Sequence, residues 1–506
     1  MTVEEMLADV QVIRSACPPG LGLSGVTHDS RKVEPGFAFV AVRGLKADGL
    51  VYAAQAIAAG AAAIVVGPGR FAEAERAAGA RAGVIEVDDE RFALALMGRN
   101  AAGRPDLEVA VTGITGTNGK TTTSYLLASM WEASGTPCGV IGTIEYRFGK
   151  EAFPADRTTP EAPEIHRQLR RMRDAGAGAC VMEVSSHALD LRRAAGIRFA
   201  AAVFTNLTRD HLDYHHDMES YFAAKKRLFE VLAPGAPAVI NADDPYGRRL
   251  KREALPGAIL YGEAEDADFR LLSVEGGVEG STLRLLAERG DHEIRTPLVG
   301  RLNAYNVLAA ATAARACGLP WEAIRKGASR TLNVRGRLER VEAGQPFAVL
   351  VDYAHTDDAL RNVLLVVRSI TKGRVLTVFG CGGDRDRTKR PLMGAHAARL
   401  SDLAWVTSDN PRSEDPMAII AQVLEGVRSV EGSERRCRVE PERTKAIGEA
   451  IREARPGDTV LIAGKGHENY QILADRVIHF DDAEVARRFI VDRIGKGQFG
   501  GGGEPA

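Results

Sequence analysis

Val109-Ala110-Val111-Thr112-Gly113-Ile114-Thr115-Gly116-Thr117-Asn118-Gly119-Lys120-Thr121-Thr122-Thr123 reads as a strand that ends in a glycine-bearing turn and then opens a helix. The apolar run LEVAVT ends near Thr112, Gly113, Gly116 and Gly119 follow, and Lys120-Thr121 begin the helical pattern TTSYLLASMWEA. Glycines let backbone N–H groups close around phosphate oxygens, and a helix N-terminus adds the positive end of a dipole. In such a loop Gly116, Thr117, Asn118, Gly119 and Thr122 cradle the nucleotide, Lys120 holds the β- and γ-phosphates, and Thr121 offers its hydroxyl to Mg²⁺. The strict pattern GxxxxGK[ST] requires glycine at position 114, where this chain has Ile114.

Outward from the loop, apolar β-type runs alternate with helical patterns: ACVMEVSS, FAAAVFTN and APAVINAD follow in one region, and FAVLVDYA, RVLTVFGC, LAWVTSDN and DTVLIAGK in a second that begins at Arg335. That alternation predicts largely parallel sheets with helices on both faces. Polar signature residues follow most of these runs, and ligands of open α/β sheets bind at the carboxyl ends of strands. Two rims of functional loops are therefore expected, facing one cleft. Upstream, FAFVAV and AAAIVVG with an Ala-rich helix suggest a small α/β domain, and Thr2-Val3-Glu4-Glu5 reads as a capping box. GRNAAGRPD (98–106) reads as a linker, and the Gly-rich end GKGQFGGGGEPA as disordered.

With 506 residues, three domains are the natural expectation. The bounds read as 1–97 (the small α/β domain), 98–334 (a P-loop ATPase-like domain with a mainly parallel sheet), 335–494 (a Rossmann-like α/β domain) and a tail, 495–506. A net charge of −1 gives no electrostatic reason to expect nucleic acid or a membrane as partner. The six cysteines are scattered without a CxxC pair, so neither a disulfide framework nor a zinc site is expected. The acidic N-terminus and the lack of a long apolar run suggest a cytoplasmic protein.

GTNGKTT resembles the phosphate loop of the Mur ligases and their folylpolyglutamate synthase relatives, and the chain carries further Mur-type segments in the family's order. These are VMEVSSHALD (181–190), FTNLTRDHLDYH (204–215), YFAAKKRLF (221–229), INADD (240–244), GRLNAYNVLAA (300–310), RGRLE (335–339), VDYAHTDDAL (351–360), GCGGDRDRTKRPLMG (380–394), SDNPRSEDP (408–416) and GKGHENYQ (464–471). The resemblance is strongest to the branch that adds the third residue of the muramyl peptide. It implies an ATP-dependent, monomeric peptide ligase of peptidoglycan synthesis that uses two Mg²⁺ ions. The implied substrates are UDP-N-acetylmuramoyl-L-alanyl-D-glutamate, meso-diaminopimelate and ATP.

The implied roles follow residue by residue. Glu183 binds Mg²⁺; as a residue taken alone it reads as a solvated strand-end acid. His211 joins Glu183 at a second Mg²⁺, which a carbamylated Lys225 (N6-carboxylysine) also binds; alone, His211 reads as a surface residue and Lys225 as a solvated helix lysine. Asn303 reads an adenine edge or caps its helix, with Asn306 one turn on; Arg337 and Asp352 serve ATP from the third domain. Ser30 and Arg31 meet the uridine nucleotide, although Leu50 replaces the histidine of the family's Asp-Gly-His. Asp357 stands where the family usually has proline. Thr158, Thr159, Ser185 and Arg193 contact the muramyl dipeptide. Arg385, Asp409, Asn410, Pro411, Arg412, Gly464 and Glu468 form the amino-acid site, Arg412 for a distal carboxylate and Glu468 for its ammonium. L-lysine has no such carboxylate, so Arg412 argues against a lysine-adding ligase. Intact Lys120, Glu183, His211 and Lys225 argue against a non-catalytic nucleotide-binding scaffold.

Overall fold

The computed structural model describes residues 1–44, 47–331 and 333–495; residues 496–506, the rest of the expected tail, lie outside the described residues. The chain is α/β throughout and packs as two units. One holds Met1–Leu271, Leu285–His292 and Asn306–Ala328; the other holds Leu272–Arg284, Glu293–Tyr305 and the residues from Ser329 on.

The first unit begins with a five-stranded sheet in the order Val12–Ala16, Gly83–Val87, Ala63–Val66, Phe37–Val40, Gly25–Thr27. Only the Val12–Ala16 pairing is antiparallel. Thr2 and Glu5 form the expected reciprocal capping box on helix Val3–Met6. The expected linker 98–106 is instead built into the fold. Gly98–Ala101 is the last turn of helix Glu90–Ala101, whose Asn100 Nδ2 donates to the Met6 and Ala8 carbonyls. Arg99 pairs with the buried Asp106 at 2.9 Å, and a Cβ on Gly98 would come 2.9 Å from the Pro163 backbone. The glycine that suggested a flexible joint is there for close packing.

The second sheet of this unit centres on Ala110–Thr115, flanked in parallel by Ala179–Glu183 and Phe199–Phe204. Cys138–Ile141 lies beyond the first neighbour, Ala238–Asn241 and Ile259–Gly262 beyond the second. Glu145–Phe148 and Glu151–Pro154 add an antiparallel edge. Strands covered on both faces read as continuous apolar runs, and these do. Ile114 belongs to the central strand and is fully buried. The strand thus runs three residues further than Thr112, to Thr115, and no glycine is needed at 114. Gly113 is also a strand residue, not a loop one: a Cβ there would press on Phe199 and Leu228 at 2.8 and 2.9 Å.

The second unit holds a six-stranded sheet in the order Glu339–Arg340, Ala348–Asp352, Thr459–Ala463, Val375–Cys381, Leu403–Ser408, Cys437–Val439, antiparallel only at its first pair. The four strands from Ala348 to Ser408 in this order end on the same side, which brings their following loops into one row. Helix Pro416–Arg428 starts as read, with Asp415 as N-cap accepting from Met417 N and Pro416 in the first turn. Asp357 opens helix Asp357–Ile370 beneath the N-cap Thr356. Proline and an acidic residue are both favoured at that position, so the departure from the family leaves the turn intact.

Candidate active site

The phosphate loop leaves the carboxyl end of the central strand and returns as helix Lys120–Ala133. Gly116 has φ +147°, and a Cβ on it would fall 1.9 Å from Thr205 Oγ1; Gly119, at φ +89°, would meet Asn306 Oδ1 at 2.4 Å. Both contacts demand glycine, so the close walls of the loop, as well as its conformation, determine its composition. Lys120 Nζ donates to the carbonyls of Gly116 and Thr117 at 2.8 and 2.9 Å, which holds the ammonium over the loop. The loop is fastened from the Phe199–Phe204 side. Thr205 Oγ1 donates to Asn118 O, Asn118 N donates to Asn206 Oδ1, and Thr117 shares hydrogen bonds with Thr208 and Tyr221.

Glu183 is no solvated acid: it is fully buried. Thr121 Oγ1 donates to its Oε2 at 2.9 Å, and Thr143 grips both oxygens, through its N–H to Oε1 (2.8 Å) and its hydroxyl to Oε2 (2.9 Å). Thr143 Oγ1 also lies 3.1 Å from Thr158 Oγ1. Thr159 Oγ1 donates to Glu183 O and accepts from Ser185 N, while Arg193 Nη1 donates to Thr159 O. Arg193 further pairs with Glu161 at 2.9 Å, and burial lowers its pKa. Thr158, Thr159, Ser185 and Arg193 are thereby gathered next to Glu183.

Lys225 is equally unlike a solvated helix lysine. It is 1% exposed on helix Met218–Glu230, with Nζ donating to Gly116 O at 2.9 Å and lying 4.6 Å from the Tyr221 ring. Burial first, and the nearby Lys120 charge second, put its pKa well below the usual lysine value. An uncharged amine is the form that reacts with carbon dioxide. His211 is exposed on one side, and its ring packs edge-on against His187 at 5.0 Å; burial lowers its pKa. His215 is buried, stacks on Tyr221 and contacts Ser186 Oγ at 2.9 Å; burial pushes its pKa down to about 4.

In the same unit a cavity of about 670 Å³ is lined by His28, Asp29, Arg31 and Lys32 together with Arg157, Glu161 and Arg167. Arg31 projects outward, held by both oxygens of Asp29. Ser30 is buried and donates to Gln55 Oε1. Leu50 is core, which accounts for an apolar residue there.

At the rim of the second unit, the loops after Val375–Cys381, Leu403–Ser408 and Thr459–Ala463 meet. Arg412, at φ +54°, donates from Nη1 to Gly383 O at 2.8 Å, and Arg385 Cγ and Arg412 Nη1 both border Gly382. Among the described residues no ion pair ties either arginine to a carboxylate. Asn410 Nδ2 donates to Glu468 Oε2 at 2.9 Å. Gly464, at φ +121°, leaves room for the Asp409 carboxylate, which a Cβ would approach to 2.7 Å. Asp352 ends its strand buried, both oxygens accepting backbone N–H groups from Leu338 and Ala354 at 2.8 Å, and burial raises its pKa. It thereby braces the turn that carries Arg337, whose guanidinium lies 5.1 Å from the Tyr353 ring.

Comparison with known proteins gives this geometry a family. Models described as Mur ligase family, catalytic domain, Mur ligase middle domain, and Mur ligase, glutamate ligase domain match residues 22–101, 114–314 and 336–466. The chain belongs to the Mur ligase family. It is 47% identical over 494 residues to the UDP-N-acetylmuramoyl-L-alanyl-D-glutamate–2,6-diaminopimelate ligase of Solibacter usitatus, covering 97% of this chain and 98% of that one. Its identity to the ligase of the same name from Geobacter metallireducens is 46%, over 98% and 100% of the two chains. A solved structure of a UDP-N-acetylmuramoyl-L-alanyl-D-glutamate–2,6-diaminopimelate ligase is 33% identical with a TM-score of 0.69, covering 93% of this chain and 95% of that one.

Mur ligases are ATP-dependent, and in this one three features of the site escaped sequence reading. Thr143 stands just beyond strand Cys138–Ile141, a strand-end position of the kind that carries ligands, but no motif singled it out. Beside His211, sequence reading gives His215 and His216 the weaker claim and His187 none. Lys465 carries no sequence signal beyond its place in GKGHE. One structural alternative is corrected: Asn303 cannot cap its helix, which begins at Gly300, and its Nδ2 donates instead to Val299 O within the first turn. Among the described residues no helix is long and apolar enough to cross a membrane.

Proposed function

We propose that this Mur ligase joins meso-2,6-diaminopimelate to UDP-N-acetylmuramoyl-L-alanyl-D-glutamate in peptidoglycan synthesis, acting as a cytoplasmic monomer. In this reading residues 1–97 hold the UDP-sugar, 98–334 ATP and 335–494 the incoming amino acid. The observation that carries the choice of amino acid is the rim where Arg412 and Arg385 stand without an acidic partner among the described residues, beside the Asn410–Glu468 pair. A distal carboxylate suits the arginines and a distal ammonium suits Glu468; L-lysine would supply no carboxylate.

The γ-carboxylate of the D-glutamyl residue takes the γ-phosphoryl group of ATP, releasing ADP and leaving an acyl phosphate. The amino group of diaminopimelate then attacks the acyl carbon, and phosphate leaves. Lys120 holds the β- and γ-phosphates through both steps, and the loop N–H groups fix their direction. Arg193, next to Thr159, receives the dipeptide. Such chemistry depends on positioning and charge neutralisation more than on a general base.

The donors fit Mg²⁺. Thr121 hydroxyl and Glu183 carboxylate oxygens lie 2.9 Å apart at the loop, and hard oxygen donors of this kind bind Mg²⁺ together with substrate phosphates. Thr121 and Glu183 would hold one ion, and Glu183 with His211 and carbamylated Lys225 a second. The ions supply positive charge against the phosphate oxygens. Among the described residues no three His, Cys, Asp or Glu side chains form a ready cage.

Coupled ADP release with UDP-N-acetylmuramoyl-L-alanyl-D-glutamate and a panel of amino acids tests the proposal. Turnover with meso-diaminopimelate and near-silence with L-lysine is expected; preference for L-lysine would overturn the specificity and leave the ligase standing.

A further inference from the structure

Lys465 is a cation built into the amino-acid rim, beside Asn410 and Glu468. It is fully buried at the turn after strand Thr459–Ala463. Its Nζ lies 3.1 Å from Asn410 Oδ1, 3.1 Å from Glu468 Oε2 and 3.8 Å from Asp409 Oδ1. A buried ammonium without acceptors is costly, so this geometry is strongly held. Asn410 Oδ1 accepts a second hydrogen bond from Ile472 N at 2.9 Å. With two donors on its oxygen, the amide has one orientation left, and its Nδ2 is turned to Glu468 Oε2.

We infer that Lys465 is a positioning residue for amino-acid selection: it sets the Asn410 amide and saturates one oxygen of Glu468, leaving the other for the substrate's distal ammonium. Glu468 Oε2 takes both internal donors, Lys465 Nζ and Asn410 Nδ2, and no hydrogen bond engages Oε1 among the described residues. The lysine also balances the two carboxylates, Asp409 and Glu468, that line the rim. Without it, two uncompensated negative charges would face the pocket and the Asn410 amide would be held by Ile472 N and Glu468 alone, so the pocket would bind cations less selectively. The inference rests on the proposed amino-acid site.

The test measures kcat and KM for all three substrates with wild type, Lys465→Met, Glu468→Gln and the double variant. Wild type is measured first: failure to turn over meso-diaminopimelate would refute the proposed function itself. Given that activity, Lys465→Met is expected to raise KM for meso-diaminopimelate by about tenfold or more, as the loss of a charge-assisted contact does. KM for ATP and for the UDP-sugar should stay within about twofold by the same arithmetic. In the double variant the second change should add little, because Lys465 acts through Glu468. Unchanged KM for diaminopimelate, fully multiplicative effects, or an equal rise in all three KM values would overturn the inference, the last by marking a merely structural lysine. If Lys465→Met does not fold, Lys465→Arg, which keeps the charge and moves the donors, is read by the same selective rise in KM, and its absence is equally fatal.

Discussion

The phosphate loop and the amino-acid rim both sit at the carboxyl ends of parallel strands, yet they are built in opposite ways. The loop is one continuous segment, and its ligand groups are largely backbone: Gly116 and Gly119 are dictated by walls at 1.9 and 2.4 Å from any Cβ, and Lys120 folds back on the loop's own carbonyls. The rim is assembled from side chains far apart in sequence: Arg385 from one loop, Asn410 and Arg412 from a second, Lys465 and Glu468 from a third. A backbone site tolerates little change and recognises what all the family's substrates share. A side-chain site is held together by exchangeable polar contacts and recognises what differs between substrates.

The harshest test of that contrast is Lys120→Ala. Its loss should reduce turnover by about a thousandfold or more, as for removal of a group that stabilises transferring charge, while thermal unfolding stays near wild type. Near-normal turnover in a folded variant would remove the loop from the mechanism. Lys225→Ala comes next. Burial beside Gly116 leaves no role for a solvated cation there, so the variant should be almost inactive and partly rescued by small carboxylates such as formate, which replace the carbamate's anion. A variant that is inactive but never rescued, together with an intact-mass spectrum of native protein showing only unmodified lysine, would sink the carbamylation reading.

Arg412→Ala probes the rim alone. Each charge-assisted hydrogen bond contributes about 1.5–3 kcal/mol, so kcat/KM for meso-diaminopimelate should fall about 10- to 100-fold. Discrimination against L-lysine should narrow without producing a good lysine ligase, because Glu468 remains. Unchanged diaminopimelate kinetics would break the specificity claim. The mildest pair sharpens the comparison most directly. Gly119→Ala should raise KM for ATP and Gly464→Ala KM for the amino acid, each by several-fold, on the order of 1 kcal/mol. Positive φ and close walls penalise both substitutions. If both variants shifted the same KM, the two sites would not be separable in the way their construction implies.

Much of this was legible before any fold was known. The strands after Ala110, Ala179, Phe199, Ala348, Val375, Leu403 and Thr459 all follow apolar runs, because strands buried on both faces must be apolar. The glycine turn that opens a helix at Lys120 was legible because such a turn is local. Two local readings failed for one reason. Glycine at 98 suggested a joint and glycine at 113 a loop, but both serve close packing against Pro163 and against Phe199 with Leu228, partners that no local pattern reveals.

By itself, then, the sequence determined the α/β class, the strand, glycine loop and helix around Gly116–Lys120 and the resemblance that names the family, since each depends on short-range spacing and on residue type. Only the tertiary structure decided that Glu183 and Lys225 are buried, that Thr143 clamps Glu183, and that Lys465 lies between Asn410 and Glu468. Burial and hydrogen bonding between distant segments depend on where strands end in space. That is a property of the packed sheet, and no stretch of chain carries it alone.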